Sequence, residues 1–334
     1  MKVNPVISIC MPTYNNSRFL EKQLRTIHSQ TKYIKNFFFE FVICDNGSKD
    51  NSREIVESYK KKNNNSCVNI KYYRNKKNIG YHRNLLKSIR NSNGKYLLFL
   101  GDDDLPGHNI YKELVVYFSR KEIEEIVVLP INTCPAFRRF FFGYNIFSYL
   151  FMRFSQTSGI LIKKNNFSKE GIKSNNLYLQ VIFLLNYYFK FGVKFLDINS
   201  KIYIRCDKSI KIYDTFNDKM RRPKDFGLKE RFSIVDEFFK NKKINYIEYL
   251  WTKRALIYWL LDLIHNLYKE RQQKFGNNFL SHIYSIYNSK ILFHLLLSSV
   301  LLHKIIRLKN SILFFKIYFT LLNNEIKKNF TKNS

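Results

Sequence analysis

Short apolar runs alternate with longer amphipathic segments from the start of the chain to residue 130. The apolar runs predict five strands, at Val6–Met11, Phe37–Cys44, Asn69–Arg74, Tyr96–Leu100 and Ile126–Leu129. The amphipathic segments predict four helices, at Ser17–Thr31, Asn51–Asn63, Tyr81–Ser92 and Asn109–Ser119. This alternation predicts an α/β domain with a mostly parallel sheet, in which ligands bind beyond the carboxyl ends of the strands.

The pattern is less regular between residues 131 and 210 and becomes purely helical beyond residue 215. The middle region predicts a strand at Gly159–Ile162, a helix at Leu177–Phe191, and a strand pair at Lys194–Leu196 and Lys201–Arg205. We therefore expect two parts, an α/β domain over residues 1–215 and a basic α-helical region over residues 216–334.

Basic residues dominate the charge of the chain, with 57 Lys and Arg against 26 Asp and Glu and a net charge of +31. Such an excess attracts polyanions, which include nucleic acid, anionic lipid headgroups and phosphorylated substrates. A genome rich in A and T also inflates Lys and Asn, so the charge alone names no partner. The hydrophobic fraction of 45% excludes a disordered chain.

The five cysteines are widely scattered and form neither a CxxC pair nor a zinc-binding spacing. This usage favours a reducing compartment. The first predicted strand follows Met1–Pro5 almost directly, which leaves no room for the apolar core of a signal peptide. We therefore expect a cytoplasmic protein.

Three consecutive carboxylates, Asp102, Asp103 and Asp104, follow the fourth predicted strand. Like charges this close repel one another and are tolerated mainly where a cation or strong donors offset them. Mn²⁺ or Mg²⁺ takes hard oxygen ligands of this kind and bridges them to phosphate. A solvated acidic turn before the next helix has the same sequence, so the triplet alone leaves both interpretations open.

Polar turns also follow the first three predicted strands. They contain residue types that hydrogen-bond to a nucleoside or stack on its base, and these types also form ordinary tight turns. The residues are Pro12, Thr13, Tyr14 and Asn15 after the first strand, Asp45 to Asp50 after the second, and Asn78, Gly80 and Asn84 after the third.

In this order, the turns resemble the nucleotide-binding half of the inverting family-2 glycosyltransferases. The resemblance rests on the Pro-Thr-Tyr-Asn turn at 12–15, the Asp-Asn-Gly-Ser-x-Asp turn at 45–50, the Asn-x-Gly…Asn helix start at 78–84 and the DxD-type cluster at 102–104. It implies a GT-A type, Rossmann-like nucleotide-sugar-binding domain followed by the C-terminal helical region. The Gly-Asp-Asp-Asp form is similar to the branch that acts on O-antigen and related bacterial surface glycans.

The resemblance also assigns roles to individual residues. It implies that the nucleotide-sugar donor is bound by Pro12, Thr13, Tyr14, Asn15, Asp45, Asn78, Gly80, Asn84 and Asp102. It implies a divalent cation, Mn²⁺ or Mg²⁺, on Asp102, Asp103 and Asp104. A cation there neutralises the charge that develops on the departing nucleoside diphosphate.

The general base departs from the family pattern. The family carries an acidic pair on a later helix, whose carboxylate deprotonates the acceptor hydroxyl, but residues 175–180 contain no acid. Glu170 is the nearest carboxylate, and its context is equally typical of a surface glutamate. Asp103, Asp104 and His82 are the other candidates for the catalytic base.

A second departure lies at residues 203–209, which resemble the family's Tyr-Arg-x-His segment but lack its histidine. Arg205 and Lys208 remain candidates for a contact with the donor diphosphate, since a guanidinium or ammonium group hydrogen-bonds to phosphate oxygens.

The segments Trp251–Tyr268 and Ile291–Phe319 combine large apolar faces with Lys and Arg. The run Ile291–Leu302 carries no Lys, Arg, Asp or Glu, but it is shorter than the ~20 residues that a membrane-spanning helix needs. One interpretation is a basic amphipathic surface that lies on anionic lipid. The other is a helical subdomain that packs on the catalytic domain and turns its Lys and Arg to water.

We predict a glycosyltransferase that is peripheral on the inner face of the cell membrane. It would move a sugar from a nucleotide-sugar donor to a saccharide or lipid-linked acceptor, by metal-assisted inverting displacement, in surface polysaccharide, lipooligosaccharide or glycan biosynthesis. The missing acidic pair leaves open a catalytically altered relative that acts as a membrane-bound glycan-assembly component. A basic nucleic-acid-binding protein is the alternative from another class. Because it leaves the acidic triplet unexplained, no nucleic-acid partner is expected.

Overall fold

The structure is a computed structural model. It describes residues 6–35, 37–62, 67–120, 122–129, 145–155, 157–166, 178–195, 204–206 and 228–269. The chain divides into two compact units, one of residues 1–139 and 153–209, the other of residues 140–152 and 210–334. The domain boundary at residue 215 stays a prediction, because residues 207–227 lie outside the described part.

A seven-stranded sheet forms the centre of the first unit. Its strands lie in the order β3-β2-β1-β4-β7-β6-β8. They are β1 (Ile7–Thr13), β2 (Phe39–Asp45), β3 (Val68–Arg74), β4 (Tyr96–Phe99), β6 (Ile126–Val128), β7 (Ile160–Lys163) and β8 (Val193–Phe195). All neighbours pair in parallel except β7, which is antiparallel to both β4 and β6. The predicted α/β class with a mostly parallel sheet is confirmed.

Helices follow most of the strands of the first unit. They are α1 (Ser17–Thr31), α2 (Ser52–Lys62), α3 (Tyr81–Asn91), α4 (Ile110–Arg120) and α6 (Leu179–Phe191). Helix α5 (Ile146–Phe154) lies mainly in the second unit and was not predicted.

The sequence interpretation is wrong about one pair of strands. The two strands predicted near residues 194 and 205 do not pair with each other. Strand β8 pairs with β6, whereas β9 (Ile204–Cys206) pairs with the three-residue strand β5 (Asp104–Pro106). Strand β5 begins on an acidic residue and contains a proline, so its sequence does not show the apolar alternation typical of a strand.

Strands β1 and β2 are buried at every residue, which explains why they appear in the sequence as mainly apolar runs. Ile9 and Phe41 lie in the core cluster that contains the inner faces of α1 and α4, including Leu24 and Tyr111. On the opposite face, the thiol of Cys10 lies 3.3 Å from the hydroxyl of Ser92, directly after α3. This packing holds the carboxyl ends of the central strands at one edge of the sheet.

The second unit contains α7 (Leu228–Lys240) and α8 (Tyr246–Lys269), together with most of α5. The rings of Phe147 and Phe238 lie 5.9 Å apart. The nearly buried Lys253 forms an ion pair of 2.7 Å with Asp236. Within the described ranges, no helix has both the length and the apolar character that crossing a bilayer requires.

Candidate functional site

The candidate site lies where the strand order of the sheet reverses. The chain crosses from β1 to β2 and β3 on one side of β1, and then returns from β3 to β4 on its other side. A crevice opens at such a point beyond the carboxyl ends of the strands, and it is where open α/β sheets bind ligands. Thr13 ends β1 and donates a hydrogen bond of 2.6 Å to Oδ2 of Asp102, which follows β4. The structure therefore brings two of the predicted site residues together, although 89 positions separate them in the chain.

The acidic cluster forms a tight turn between β4 and β5, and all three carboxylates are partly exposed. A Cβ on Gly101 would lie 2.9 Å from Oδ1 of Asp103 and 3.4 Å from Oδ2 of Asp104. The side chains of Asp103 and Asp104 therefore fold back over the same backbone position. A side chain at residue 101 would therefore have to displace the carboxylate of Asp103.

A buried glutamine fixes the two ends of this turn. The side-chain nitrogen of Gln23, on α1, donates to the backbone carbonyl of Gly101 at 3.1 Å and to that of Asp104. The Gln23 side chain is fully buried. The sequence does not reveal this role, because a glutamine in a helix is usually a surface residue.

The turn before β7 supports the acidic cluster from the other side. The hydroxyl of Ser158 accepts a hydrogen bond of 2.7 Å from the Gly101 amide. The backbone carbonyl of Ser158 in turn accepts one of 2.6 Å from the buried guanidinium of Arg153. The sequence did not predict this support, because neither Ser158 nor Arg153 belongs to a recognisable motif.

Asp45 is completely buried at the end of β2. Its Oδ1 accepts a hydrogen bond of 2.8 Å from the Ser48 amide. Its Oδ2 accepts one from the Tyr72 hydroxyl and lies 3.5 Å from Nε of Arg74. Burial, and then the bond to Asp45, raise the pKa of Tyr72, so Tyr72 stays protonated and donates. The predicted contact between Asp45 and the nucleotide-sugar donor would therefore use a carboxylate whose two oxygens already accept hydrogen bonds from the protein.

Four asparagines form a hydrogen-bonded network beneath the crevice. The side chain of Asn46 donates to Asn78 at 2.7 Å and accepts from Asn75 at 3.1 Å. Asn84 donates to the carbonyl of Cys44 at 2.6 Å and accepts from Asn75 at 2.9 Å. Asn84 is thus buried and joins α3 to β2, whereas Asn78 lies nearer the surface. This arrangement positions the loop before α3 rigidly against the end of β2.

The remaining predicted donor-binding residues surround the same edge. Pro12 is buried in β1 opposite Cys44, and Tyr14 is half-buried. Asn15 adopts a positive φ of 50° and accepts a hydrogen bond of 2.7 Å from the Lys49 amide. Gly80 has a φ of 86° at the start of α3, a conformation that strongly favours glycine.

The candidates for general base are only partly within the described structure. The ring of His82 lies 5.3 Å from that of Tyr81 and 5.6 Å from that of Tyr178. Glu170 and Lys208 lie outside the described residues, as does the side chain of Arg205. Their predicted roles stay predictions.

The acidic cluster fits a divalent cation that is shared with a ligand. Within the part of the chain that the structure describes, no group of three or more His, Cys, Asp or Glu side chains could enclose a metal. Mg²⁺ is nevertheless usually held by one or two carboxylates, with substrate phosphates and water as its other ligands. The two carboxylates over Gly101 match that donor set, and we infer that a phosphorylated ligand would complete it.

The strand order and the polar turns at the strand ends define an open α/β domain of the kind that binds ligands where the strand order reverses. Residues 8–175 match the sequence profile of glycosyl transferase family 2, and this segment makes up half of the chain. The chain therefore belongs to glycosyl transferase family 2.

Named relatives share parts of the sequence. The chain is 39% identical over 99 residues to the abequosyltransferase RfbV of Salmonella typhimurium, a match that covers 30% of this chain and 28% of RfbV. It is 28% identical over 125 residues to the minor teichoic acid biosynthesis protein GgaB of Bacillus subtilis, which covers 37% of this chain and 13% of GgaB. The matches thus span less than a third of the length of these two relatives.

Solved structures show the same fold. The mannosyltransferase PcManGT from Pyrobaculum calidifontis, in complex with GDP-Man and Mn²⁺, aligns with a TM-score of 0.51 at 13% identity and covers 99% of this chain and 89% of that one. Residues 1–349 of TarS from S. aureus, in complex with UDP-GlcNAc, align with a TM-score of 0.50 at 14% identity and cover 85% of this chain and 93% of that one. At these identities the similarity establishes the GT-A fold alone.

Proposed function

We propose that this protein transfers a sugar from a nucleotide-sugar donor to a saccharide or lipid-linked acceptor during assembly of a surface glycan. Family membership supports the reaction type, and the relatives RfbV and GgaB are named as an abequosyltransferase and a minor teichoic acid biosynthesis protein. The observation that carries the proposal is the hydrogen bond between Thr13 and Asp102 at the reversal of strand order. It supports a nucleotide site beside the acidic cluster, because open α/β sheets bind ligands where their strand order reverses.

The proposed mechanism is a direct displacement with inversion at the anomeric carbon. Asp103 and Asp104 would hold a divalent cation, with Asp102 oriented by its bond from Thr13. When bound, such a cation supplies positive charge to the donor diphosphate. Gln23 and Ser158 keep the acidic turn in place, so little reorganisation is needed during the reaction.

One side chain must accept the proton of the attacking acceptor hydroxyl. Asp103, Asp104 and Glu170 are the carboxylate candidates, and His82 is a fourth candidate that lies in contact with Tyr81. The leaving nucleoside diphosphate departs without forming a covalent intermediate with the protein. If no residue of the protein acts as the general base, the same site would bind the donor without transferring its sugar. The alternative that we propose is such a catalytically altered relative, acting as a membrane-bound component of glycan assembly.

The donor can be identified by thermal unfolding with a panel of UDP-, GDP-, dTDP- and CDP-linked sugars, with and without Mn²⁺. A ligand at 100 times its Kd stabilises the folded protein by about 2.7 kcal/mol. We expect one nucleotide class to raise the Tm, and only when Mn²⁺ is present. A single-stranded oligonucleotide serves as the comparison. If the oligonucleotide raises the Tm and none of the nucleotide sugars does, the protein binds nucleic acid and the proposed transferase function is wrong.

We also propose that the protein is peripheral on the inner face of the cell membrane. The turn between α7 and α8 exposes three lysines next to two apolar side chains: Lys240, Lys242, Lys243, Tyr246 and Ile247. Tyr246 and Ile247 are 58% and 64% exposed. We call these five residues the basic-apolar turn. Lysines attract anionic headgroups, and apolar side chains at their side insert between the lipids.

Replacing the three lysines of this turn by glutamate tests the membrane proposal in the full-length protein. Each lysine near the surface contributes roughly 1 kcal/mol, so binding to phosphatidylglycerol vesicles should fall by about 100-fold at low salt. The matched control replaces Lys60, Lys61 and Lys62, three exposed lysines at the end of α2, by glutamate. Co-sedimentation at low and high salt is the measurement. Equal losses in both variants would show that net charge, and not this turn, is responsible.

A further inference from the structure

Tyr81 combines an exposed ring with an anchored hydroxyl. It is the first residue of α3 and 42% of its surface is exposed. Its hydroxyl lies 2.5 Å from Oγ1 of Thr157, which is buried. The ring of His82 packs against it edge-on, at 5.3 Å and an angle of 89°. An exposed aromatic ring with its position fixed at both ends loses little conformational entropy when a ligand covers it.

The anchor of Tyr81 belongs to the turn that supports the acidic cluster. Thr157 is followed by Ser158, whose hydroxyl accepts the hydrogen bond from the Gly101 amide at 2.7 Å. The same hydroxyl lies 3.1 Å from the position of a Cβ on Gly101, next to the carboxylate of Asp103. Tyr81 and the acidic cluster therefore share one rigid support, and the carboxylates of that cluster also act electrostatically on the Tyr81 hydroxyl.

The order of elements across the sheet indicates which part of a donor lies beside Tyr81. The predicted nucleoside-binding residues Asp45 and Thr13 end β2 and β1, and the acidic cluster follows β4. Thr157 precedes β7, the next strand in the same direction. In a nucleotide sugar the diphosphate joins the nucleoside to the sugar. With the diphosphate at the acidic cluster, the sugar would extend toward Thr157 and Tyr81.

We propose that the ring of Tyr81 is the wall of a subsite for the pyranose ring of the donor sugar. This inference rests on the proposed function. One face of a pyranose carries mainly C–H groups, which are weakly positive and pack on the negative face of an aromatic ring. The hydroxyl groups of the sugar are suited to the neighbouring carboxylates, which accept hydrogen bonds. An aromatic ring beside several carboxylates is therefore suited to a neutral sugar. An anionic group would be repelled by the carboxylates unless a cation were bound between them.

The test compares nucleotide sugars with their sugar-free nucleoside diphosphates. Binding of UDP, GDP, dTDP and CDP and of their sugar conjugates is measured with Mn²⁺ present, and the ratio of the two Kd values isolates the contribution of the sugar. For the pair that the unaltered protein binds, Tyr81→Leu should weaken the sugar conjugate by about tenfold. Affinity for the nucleoside diphosphate should be unchanged. Tyr81→Phe keeps the ring and should retain most of the sugar contribution.

Tyr33→Leu is the matched control, because Tyr33 is 80% exposed and lies just after α1. It should leave both affinities unchanged. An equal loss for the diphosphate and its conjugate in Tyr81→Leu would place the ring against the nucleotide and overturn the inference. If Tyr81→Leu changes neither Kd, and the unaltered protein binds the pair, the inference about Tyr81 is refuted. The proposed transferase function is then unaffected. If the unaltered protein binds no pair, the proposed function itself fails.

Discussion

Asp103→Asn should abolish sugar transfer and leave the protein folded. The substitution keeps the size of the side chain over Gly101 but removes the negative charge that would hold the cation. Removing one electrostatic stabiliser of a transition state typically reduces kcat by about 10²–10³. Because the cation also binds the donor, the loss here should reach at least the upper end of that range. Release of the nucleoside diphosphate, followed with increasing Mn²⁺, is the measurement.

The matched control for this prediction is Glu57→Gln on α2, an equal change of charge on a half-exposed side chain that pairs with Lys60. It should retain full activity. Asp103→Asn should also lose the Mn²⁺-dependent increase in Tm that a nucleotide sugar gives the unaltered protein. Full activity of the unaltered protein in the presence of a strong chelator would show that the acidic cluster works without a metal.

Asp45→Ala should reduce both the stability of the protein and its affinity for the donor. The buried carboxylate accepts hydrogen bonds from the Ser48 amide and from Tyr72, and bonds of this kind contribute about 1.5–3 kcal/mol each. We therefore expect the free energy of unfolding to fall by about 3 kcal/mol or more. Without the carboxylate, the turn that follows β2 loses hydrogen bonds that hold its shape, and a residue predicted to bind the donor is removed.

Urea denaturation measures the first effect of Asp45→Ala, and donor titration measures the second. An unchanged slope against urea would confirm that the loss arises from the folded state. Glu54→Ala, an exposed acidic residue in the first turn of α2, is the control and should change neither quantity. Lower stability with unchanged donor affinity would restrict Asp45 to the role of a turn residue.

The sequence was sufficient for the α/β half of the fold because its signals are local. Strands β1 and β2 are buried on both faces and appear as mainly apolar runs, in which Ser8 and Glu40 are the polar exceptions before the last residues. Helix α1 begins and ends where its periodicity predicts. The acidic cluster and the Asp45 turn were also recognisable, since their residue types follow directly after apolar strands. The profile match confirms the family that the ordered motifs indicated, whereas the roles of the individual residues stay predictions.

Asn84 shows where a recognisable motif was not enough. Its position in the Asn-x-Gly…Asn helix start predicted a contact with the donor. In the structure both ends of its amide bond to Cys44 and Asn75 inside the protein. A buried amide must satisfy its hydrogen bonds with protein groups when no ligand or water reaches it. The sequence indicated that Asn84 is important, but only the structure shows that its hydrogen bond to the Cys44 carbonyl joins α3 to β2.

The sequence by itself determined the class of domain, the order of its strands along the chain and the residues at their carboxyl ends. Only the tertiary structure decided how those ends meet: the bond from Thr13 to Asp102, the clamp of Gln23 on the acidic turn, and the link from Tyr81 to Thr157. It also decided that β9 pairs with β5 rather than with β8. Each of these contacts joins residues more than 70 positions apart. Periodicity and turn chemistry act over a few residues, whereas such contacts depend on which strands become neighbours in the sheet.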